Sequence, residues 1–193
     1  MTAFWTLRRV SLALGGGAND DRPVRAICLD TRTLGEGDLF VALEGENHDA
    51  HDYLRDAVAK GARAVVVRDV ARAAGLGVPV YETSNTLFAL GALARYRRRV
   101  WGGPVVAVGG SNGKTSTKEL VRAALGARLS VHASLGNLNN QVGVPLSLLA
   151  VPEDADVAVI EVGTNVPGEI ALLRAMVEPD VAVVTTVQEE HLV

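Results

Sequence analysis

One stretch decides the fold: it reads Val105-Val106-Ala107-Val108-Gly109-Gly110-Ser111-Asn112-Gly113-Lys114-Thr115. Its first four residues form an apolar, largely β-branched run, which is typical of a strand buried on both faces of a parallel sheet. A glycine-rich turn follows directly, and residues 115–128 then show a helical pattern. A strand, a glycine-rich turn and a helix in this order predict a phosphate-binding loop.

The composition of this loop explains how it would hold a nucleotide. Glycines let backbone N–H groups turn toward one point, and the helix N-terminus adds further donors and a positive dipole. Lys114 offers a mobile charge to the β- and γ-phosphates, and Thr115 offers a hydroxyl to Mg²⁺. The standard spacing places a glycine six residues before the lysine, where this chain has Val108, so a tight turn with an incidental lysine is the alternative. The predicted nucleotide-binding residues are Gly110, Ser111, Asn112, Gly113, Lys114, Thr115 and Ser116.

Apolar runs and helical patterns alternate on both sides of the loop. Beyond it, residues 157–160 and 181–187 read as strands and residues 167–177 as a helix, which predicts a mostly parallel, doubly wound central domain. Before it, residues 1–83 form a small α/β domain, whose predicted elements are strands at 24–29, 38–43 and 64–67 and a helix at 49–60. A connecting helix and linker at 84–103 end at a Pro/Gly break. The predicted domains are therefore 1–83 and 104–193, both of the α/β class.

Polar residues follow the predicted central strands, where ligands bind in such sheets. Glu161 ends one strand and can hold Mg²⁺, which favours one or two carboxylates together with phosphate oxygens. His191 follows another strand. Its position leaves two alternatives equally open: the histidine binds a metal or phosphate, or it has no chemical role. The amide-rich segment Asn137-Leu138-Asn139-Asn140 is consistent with a turn, and binding of a neutral polar ligand is the alternative.

Composition excludes several classes of protein. The chain of 193 residues has a net charge of −3, which argues against binding to nucleic acid or to a membrane surface. The basic run at residues 95–99 lies in a predicted helix, and we interpret it as a solvated helix end that complements the dipole, with a polyanion-binding patch as the alternative. Cys28 is the single cysteine, which rules out an intrachain disulfide and indicates a reducing cytoplasm. No stretch approaches the roughly 20 apolar residues of a membrane span.

Several motifs in order resemble the Mur ligases, the ATP-dependent amide-forming enzymes of peptidoglycan synthesis. The central motifs are Gly110-Ser111-Asn112-Gly113-Lys114-Thr115, Gly136-Asn137-Leu138-Asn139-Asn140 with Gly143-Val144-Pro145, Glu161-Val162-Gly163-Thr164-Asn165 with Gly168-Glu169, and His191-Leu192. The first segment agrees through Asp30-Thr31-Arg32 and Gly37-Asp38-Leu39-Phe40-Val41-Ala42-Leu43. The resemblance covers roughly residues 24–193. The asparagine-rich motif and the motif that begins at Glu161 look specifically like the branch that joins D-alanyl-D-alanine to UDP-N-acetylmuramoyl-tripeptide.

The resemblance implies a role for each matching residue. Lys114 would hold the ATP phosphates and act in catalysis, and the metal ligands for Mg²⁺ would be Thr115, Glu161 and His191, the last two also being catalytic. Residues that would face the substrate are Asn137, Asn139, Asn140 and Asn165, with Thr31 and Arg32 at the uridine nucleotide. The family chemistry passes through an acyl phosphate, which the amine of the dipeptide then attacks. We expect a cytoplasmic monomer, with no nucleic-acid or membrane partner.

The chain departs from the family in three places. Gly109 stands where the family usually carries threonine, and the residues before His191, Gln188-Glu189-Glu190, are more acidic than usual. The chain also ends at Val193, whereas the family continues with a lysine that becomes carbamylated and with a C-terminal domain that closes over ATP. We therefore expect the chain to be the first part of a longer enzyme and to be inactive alone. A neighbouring Mur ligase that adds a single amino acid, and a nucleotide-binding module without turnover, are the alternatives.

Overall fold

Two separate parallel sheets account for the alternating apolar runs. The computed structural model describes residues 3–45, 48–163 and 167–188. Its contacts divide the chain into two units, Met1–Ala92 and Leu93–Val193. The point of division lies within the helix predicted as a connector, and the limits 1–83, 84–103 and 104–193 remain predictions.

The first unit begins with a short antiparallel pair and continues into a four-stranded sheet. The pair is β1 (Trp5–Thr6) and β2 (Pro23–Val24), with helix α1 (Leu7–Ala13) between them. The sheet contains, in spatial order, the parallel strands β3 (Ile27–Cys28), β4 (Leu39–Val41), β5 (Ala64–Val67) and β6 (Val80–Glu82). The predicted strand at 24–29 is therefore two strands, because the chain changes from partner β1 to partner β4 around Arg25.

The helix predicted at 49–60 begins with a tighter turn. The Asp49 carboxylate accepts the backbone N–H of His51 and starts a 3₁₀ helix, Ala50–Tyr53, before helix α2 (Leu54–Ala59). Leu54 and Ala57 of this segment are buried against Phe40 and Val65 of the sheet. The first unit is thus a small α/β module, as its sequence predicts.

The predicted elements of the second region are present in the predicted order with small shifts, and a strand at 131–133 and a helix at 143–149 occur in addition to them. They are α3 (Thr86–Trp101), β7 (Val105–Gly109), α4 (Lys114–Gly126), β8 (Val131–Ala133), α5 (Gly143–Leu149), β9 (Val157–Glu161), α6 (Glu169–Val177) and β10 (Val181–Val184). The strands are all parallel, in the spatial order β10-β7-β9-β8. The two central strands are covered on both faces, because Val108, Val159, Ala158 and Ile160 are all buried, whereas the edge strand β10 is largely exposed. The structure confirms the α/β class and the parallel central sheet.

Helix and strand ends differ from the predictions for local reasons. Asn85 caps α3, since its side-chain oxygen accepts the N–H groups of Leu87 and Phe88 at 2.9 and 3.1 Å. Helix α6 begins at Glu169 because Gly168 precedes it in the left-handed region, at φ 83°. The strand predicted at 181–187 ends at Val184, where its partner β7 turns into the phosphate loop. Within the described ranges, none of the helices is both long enough and apolar enough to cross a membrane.

The basic run of α3 caps another helix of its own unit. Arg98 is buried and donates to the carbonyls of Val177 and Glu178, both at 3.0 Å, at the C-terminus of α6. It also donates at 2.9 Å to Asp180, whose carboxylate accepts the first N–H of β7 at 2.8 Å. Positive side chains stabilise the negative end of a helix dipole. The interpretation of this run as a solvated helix end is wrong for Arg97 and Arg98, which are buried, and the helix end that Arg98 complements is that of α6.

Glu178 ends α6 with a left-handed backbone, at φ 45°, which a non-glycine residue adopts at some cost. Its carboxylate pairs with Arg95 at 2.7 Å and Arg99 at 2.6 Å, and these contacts offset that cost. Hydrogen bonds from Arg99, together with Arg95 and against the opposing effect of burial, lower the Glu178 pKa to about 2.

We expect the Glu178 ion pairs to make stability depend on pH at the acid end. The folded pKa is depressed, so the stabilisation is complete above the unfolded value of 4.5 and is lost as pH falls toward about 2. Glu178→Gln should lower the free energy of unfolding by about 1 kcal/mol at pH 7, the range of partly exposed ion pairs. Urea denaturation at several pH values measures this difference, which should vanish near pH 2. The control is Glu82→Gln at an exposed carboxylate; a difference for Glu178→Gln that persists unchanged to pH 2 would contradict the assignment.

Candidate active site

The phosphate loop and Glu161 emerge side by side from neighbouring strands. In the parallel register of β7 and β9, Val108 lies opposite Glu161. The loop that follows β7 and the carboxylate that ends β9 therefore lie at the same edge of the sheet. This is the edge at which ligands bind in parallel α/β sheets.

Glycine geometry shapes the loop at two positions. Gly113 is the N-cap of α4 with φ 82°, and a glycine has no side chain that could accept the first N–H groups of the helix. Gly110 has φ 126°, and a Cβ there would lie 2.3 Å from the Thr185 hydroxyl oxygen. The first N–H groups of a helix have no partner within the helix. Those of α4 are therefore directed toward the space in which an anion would bind.

The Lys114 ammonium group lies within the curve of the loop. It donates to the carbonyls of Gly110 at 2.7 Å and Ser111 at 2.9 Å. These contacts hold the charge at the position that the loop encloses, and they provide hydrogen-bond acceptors for the ammonium group. A phosphate bound at the helix N-terminus would compete with the two carbonyls for the same group.

Three side chains meet at the end of β9. The Thr115 hydroxyl donates to Glu161 Oε2 at 3.0 Å, and the Asn139 amide donates to Glu161 Oε1 at 2.9 Å. Glu161 is 1% exposed, whereas Thr115 is exposed. A hydroxyl and a carboxylate in contact are hard oxygen donors of the type that Mg²⁺ selects. This donor set fits a divalent cation shared with nucleotide phosphates.

Lys118, which is not among the site residues predicted from the sequence, also belongs to this cluster. Its side chain is fully buried, and its ammonium donates to the carbonyls of Ser134 at 2.7 Å and Gly136 at 2.9 Å. The same group lies 3.8 Å from Glu161 Oε2. One signal was available: Lys118 lies four residues after Lys114, so both lie on one face of the helix.

The segment after β10 is fastened to the phosphate loop. The carbonyl and hydroxyl oxygens of Thr186 accept the N–H groups of Ser111 and Asn112 at 2.8 and 3.0 Å. Gln188 donates its N–H to the Ser111 hydroxyl oxygen at 2.9 Å and accepts the Asn112 amide at 3.1 Å. Gln188 is one of the residues before His191 that depart from the family pattern, and it therefore contacts the loop directly.

The other predicted asparagines differ in their surroundings. Asn140 accepts the N–H groups of Val142 and Gly143, at 3.1 and 2.8 Å, and so supports the start of α5. Asn137 is exposed, and its carbonyl accepts the N–H of Asn139 at 2.7 Å. The structure thus brings Asn139 to Glu161, while substrate contacts of Asn137 and Asn140 remain predictions. Asn165 and His191 lie outside the described residues.

Thr31 and Arg32 form a separate loop in the first unit. Asp30 accepts the N–H and the guanidinium of Arg32, and the hydrogen bonds from Arg32 lower the Asp30 pKa to about 2. The Thr31 side chain is buried, and its carbonyl accepts the Lys60 ammonium at 3.0 Å. The loop is ordered by its own contacts, and its role toward a uridine nucleotide remains a prediction.

A cluster in the first unit resembles a metal site but is built differently. Glu44, Asp49 and His51 have their ligand atoms within 4.8 Å of one another. His51 Nε2 accepts the N–H of Arg68 at 2.9 Å, so the ring proton is on Nδ1, which lies 2.6 Å from Asp49 Oδ1. Both ring nitrogens are therefore used within the protein, and the cluster serves to anchor the 3₁₀ turn.

Comparison with known proteins agrees with this geometry. The family model described as "Mur ligase family, catalytic domain" matches residues 23–98, and the model "Mur ligase middle domain" matches residues 108–192. The chain belongs to the Mur ligase family. The two matched ranges correspond to its two units, and the second contains the phosphate loop and Glu161.

Individual relatives of this Mur ligase are longer than the chain. The UDP-N-acetylmuramoyl-tripeptide–D-alanyl-D-alanine ligase of Escherichia coli K12 is 41% identical over 172 residues, which are 89% of the chain and 37% of that enzyme. MurF from Acinetobacter baumannii superimposes with a TM-score of 0.86 and 34% identity, over 93% of the chain and 40% of the other. MurF from Thermotoga maritima, solved with ADP, has a TM-score of 0.77 and 34% identity, over 84% and 38%. The chain therefore spans about 40% of the length of these relatives.

Proposed function

We propose that the chain is part of an ATP-dependent ligase that joins D-alanyl-D-alanine to UDP-N-acetylmuramoyl-tripeptide in peptidoglycan synthesis. The observation that carries the proposal is the contact of Thr115 with Glu161, at 3.0 Å, beside the N-terminus of α4. The named relatives are ligases of this type, and one of them was solved with ADP. The proposal includes Mg²⁺ as the metal, the cytoplasm as the location and a monomer as the working state.

The proposed reaction brings two anions together, the substrate carboxylate and the γ-phosphate of ATP. Lys114 and the N–H groups of α4 would hold the phosphates and reduce the repulsion between these anions. The side chains that would hold Mg²⁺ are Thr115, Glu161 and His191, and the bound ion would neutralise charge on the phosphate oxygens. Transfer of the γ-phosphoryl group to the carboxylate would give an acyl phosphate and release ADP. The dipeptide amine would then displace phosphate from the acyl phosphate and lose a proton, which forms the amide bond. The protein would act through position and charge rather than through a covalent step.

The substrate would extend away from the phosphate loop. The asparagines proposed to face it are Asn137, Asn139, Asn140 and Asn165, while Thr31 and Arg32 would contact the uridine nucleotide. Asn139 supports this assignment because its amide already contacts Glu161 at 2.9 Å. An amide at this position can satisfy both the metal-binding carboxylate and a neutral polar group of the peptide.

Substrate-dependent phosphate release tests the proposed activity. A protein that contains this chain and has the length of its relatives should release phosphate from ATP only when UDP-N-acetylmuramoyl-tripeptide and D-alanyl-D-alanine are both present. Equal turnover with a single free amino acid in place of the dipeptide would overturn the assignment and favour another Mur ligase. The 193-residue chain alone should bind Mg-ATP in calorimetry and turn over little.

A nucleotide-binding module without turnover is the second candidate. It needs only the phosphate loop and the contact of Thr115 with Glu161, both of which lie in the second unit. Two measurements distinguish the candidates. A module would bind Mg-ATP with the same affinity when both proposed substrates are added, and a protein of the relatives' length would release no phosphate.

Glu161→Gln should weaken the dependence of nucleotide binding on Mg²⁺. The amide keeps the size of the side chain but removes the charge that would attract the ion, so the Mg²⁺ concentration for half-maximal ADP binding should rise by about tenfold or more, as for metal-site residues generally. Calorimetric titration of ADP at increasing Mg²⁺ measures the shift. Glu153→Gln at an exposed carboxylate is the matched control, and an unchanged Mg²⁺ requirement in Glu161→Gln would remove Glu161 from the metal site.

A further inference from the structure

Lys118 is a charged side chain in a fully buried position. Its ammonium donates to the Ser134 and Gly136 carbonyls at 2.7 and 2.9 Å, and lies 3.8 Å from Glu161 Oε2. Exposed Glu119 is a further neighbour, at 3.4 Å. Burial of a charge is costly unless hydrogen bonds and an opposite charge compensate it. Both kinds of compensation are present, and both come from the surroundings of Glu161.

The contacts of Lys118 connect three parts of the candidate site. The lysine lies on α4, one turn beyond Lys114, and its carbonyl partners belong to the turn that follows β8. The same turn supplies the Ser134 hydroxyl oxygen, which accepts the backbone N–H of Glu161 at 3.2 Å. The chain then continues to Asn139, whose amide reaches Glu161 Oε1. Lys118 therefore ties the phosphate-loop helix to the segment that orients the carboxylate.

The choice of lysine is itself informative. The lysines of the chain are Lys60, Lys114 and Lys118, and its other permanently charged basic side chains are arginines. In α3, the buried side chains that donate hydrogen bonds to backbone carbonyls are Arg97 and Arg98. An ammonium is a compact point charge with three rotatable donors, whereas a guanidinium is a planar fork. A compact charge suits a position where two carbonyls and a carboxylate converge from different directions.

We propose that Lys118 is a positioning residue that presets the Glu161 carboxylate and the Asn139 amide for the metal–nucleotide complex. This inference rests on the proposed nucleotide site and adds a residue to it. Lys118 does not touch the nucleotide; it acts through the turn after β8 and through the charge of Glu161. A lysine that only supports the fold would instead contribute equally to nucleotide binding with and without the metal.

Paired variants separate the positioning role from a purely structural one. Lys118→Met removes the charge and the donors, whereas Lys118→Gln keeps N–H donors for the carbonyls without the charge. The control is Arg122→Met, which removes a basic side chain from the same helix where it is exposed and bonded to Glu119. Calorimetry with ADP should show about tenfold weaker binding for Lys118→Met in Mg²⁺, as for other supporting residues of metal sites, and unchanged binding in EDTA. Lys118→Gln should lie between Lys118→Met and the control.

A double-mutant cycle tests whether Lys118 acts through Asn139. Asn139→Ala should weaken Mg-ADP binding clearly in the parent chain and little in the Lys118→Met background, because the amide is no longer held in place there. Multiplicative effects of the two changes would overturn the proposal, as would equal losses in Mg²⁺ and in EDTA. Absence of Mg-ADP binding by the parent chain would instead count against the proposed function.

A measurement on the parent chain covers the case in which the Lys118 variants do not fold. With ¹⁵N-labelled lysine, the ammonium groups of the three lysines give separate NMR signals, and Lys60→Arg and Lys114→Arg assign the remaining one to Lys118. Addition of Mg-ADP should shift the Lys118 signal, whereas metal-free ADP should leave it in place. A Lys118 signal that responds equally to both, or to neither, would overturn the proposal.

Discussion

Lys114→Ala should weaken binding of Mg-ATP by about a hundredfold, since hydrogen bonds to charged groups contribute about 1.5–3 kcal/mol each and tenfold corresponds to about 1.4 kcal/mol. The ammonium lies within the phosphate loop, 2.7 and 2.9 Å from the carbonyls of Gly110 and Ser111. An alanine leaves the bound phosphates without this charge and leaves the two carbonyls without their donor. Calorimetric titration of the chain with Mg-ATP measures the loss.

Lys60→Ala is the matched control for Lys114→Ala. Lys60 also donates to a loop carbonyl, that of Thr31 at 3.0 Å, but it belongs to the first unit. The substitution Lys60→Ala should leave the affinity for Mg-ATP unchanged. Retained affinity in Lys114→Ala, with the fold intact by circular dichroism, would show that the loop is a tight strand–helix turn with an incidental lysine.

Gly110→Ala should abolish measurable nucleotide binding, whereas Gly109→Ala should preserve it. At Gly110 the backbone has φ 126°, and a Cβ would meet the Thr185 hydroxyl oxygen at 2.3 Å and the Thr186 carbonyl oxygen at 2.9 Å. The carbonyl cannot move without breaking the contacts that fasten the loop. At Gly109 the nearest atom to a Cβ is the Val162 carbonyl oxygen, at 3.9 Å, which is an ordinary contact.

Thermal unfolding separates the two glycine variants from each other. Gly110→Ala should lower stability by about 1–3 kcal/mol, the cost of a strained backbone position. Gly109→Ala should raise it by about 0.4–1 kcal/mol, because alanine reduces the freedom of the unfolded chain. Equal effects at the two positions would contradict the assigned loop conformation.

Long apolar elements were predictable from the sequence, and short polar ones were not. Strand β7 and strand β9 contain continuous apolar, largely β-branched runs, from which their burial can be predicted. Strand β8 has the sequence Val131-His132-Ala133 and is half-buried at the edge of its sheet, so it carries no comparable pattern. The split between β2 and β3 also escaped prediction, because it depends on which strand each residue pairs with rather than on the residues themselves.

The same contrast holds for the site. The strand–loop–helix order and the acidic residue after β9 led to Lys114, Thr115 and Glu161, which the structure brings to one edge of the sheet. Lys118 was missed because a lysine on a helix normally reads as solvent-exposed, and only the packing of the turn after β8 buries it. Contacts between distant segments of this kind leave no periodicity in the sequence.

The fastening of the segment after β10 to the phosphate loop offers a place for an optical reporter. Val187 is 87% exposed, and its neighbours Thr186 and Gln188 bond to Ser111 and Asn112 of the loop. A fluorophore attached through a cysteine at position 187 would lie on a segment that is hydrogen-bonded to the phosphate loop. Its emission would then record loading and release of the loop in real time, in a chain whose one native thiol, Cys28, is buried.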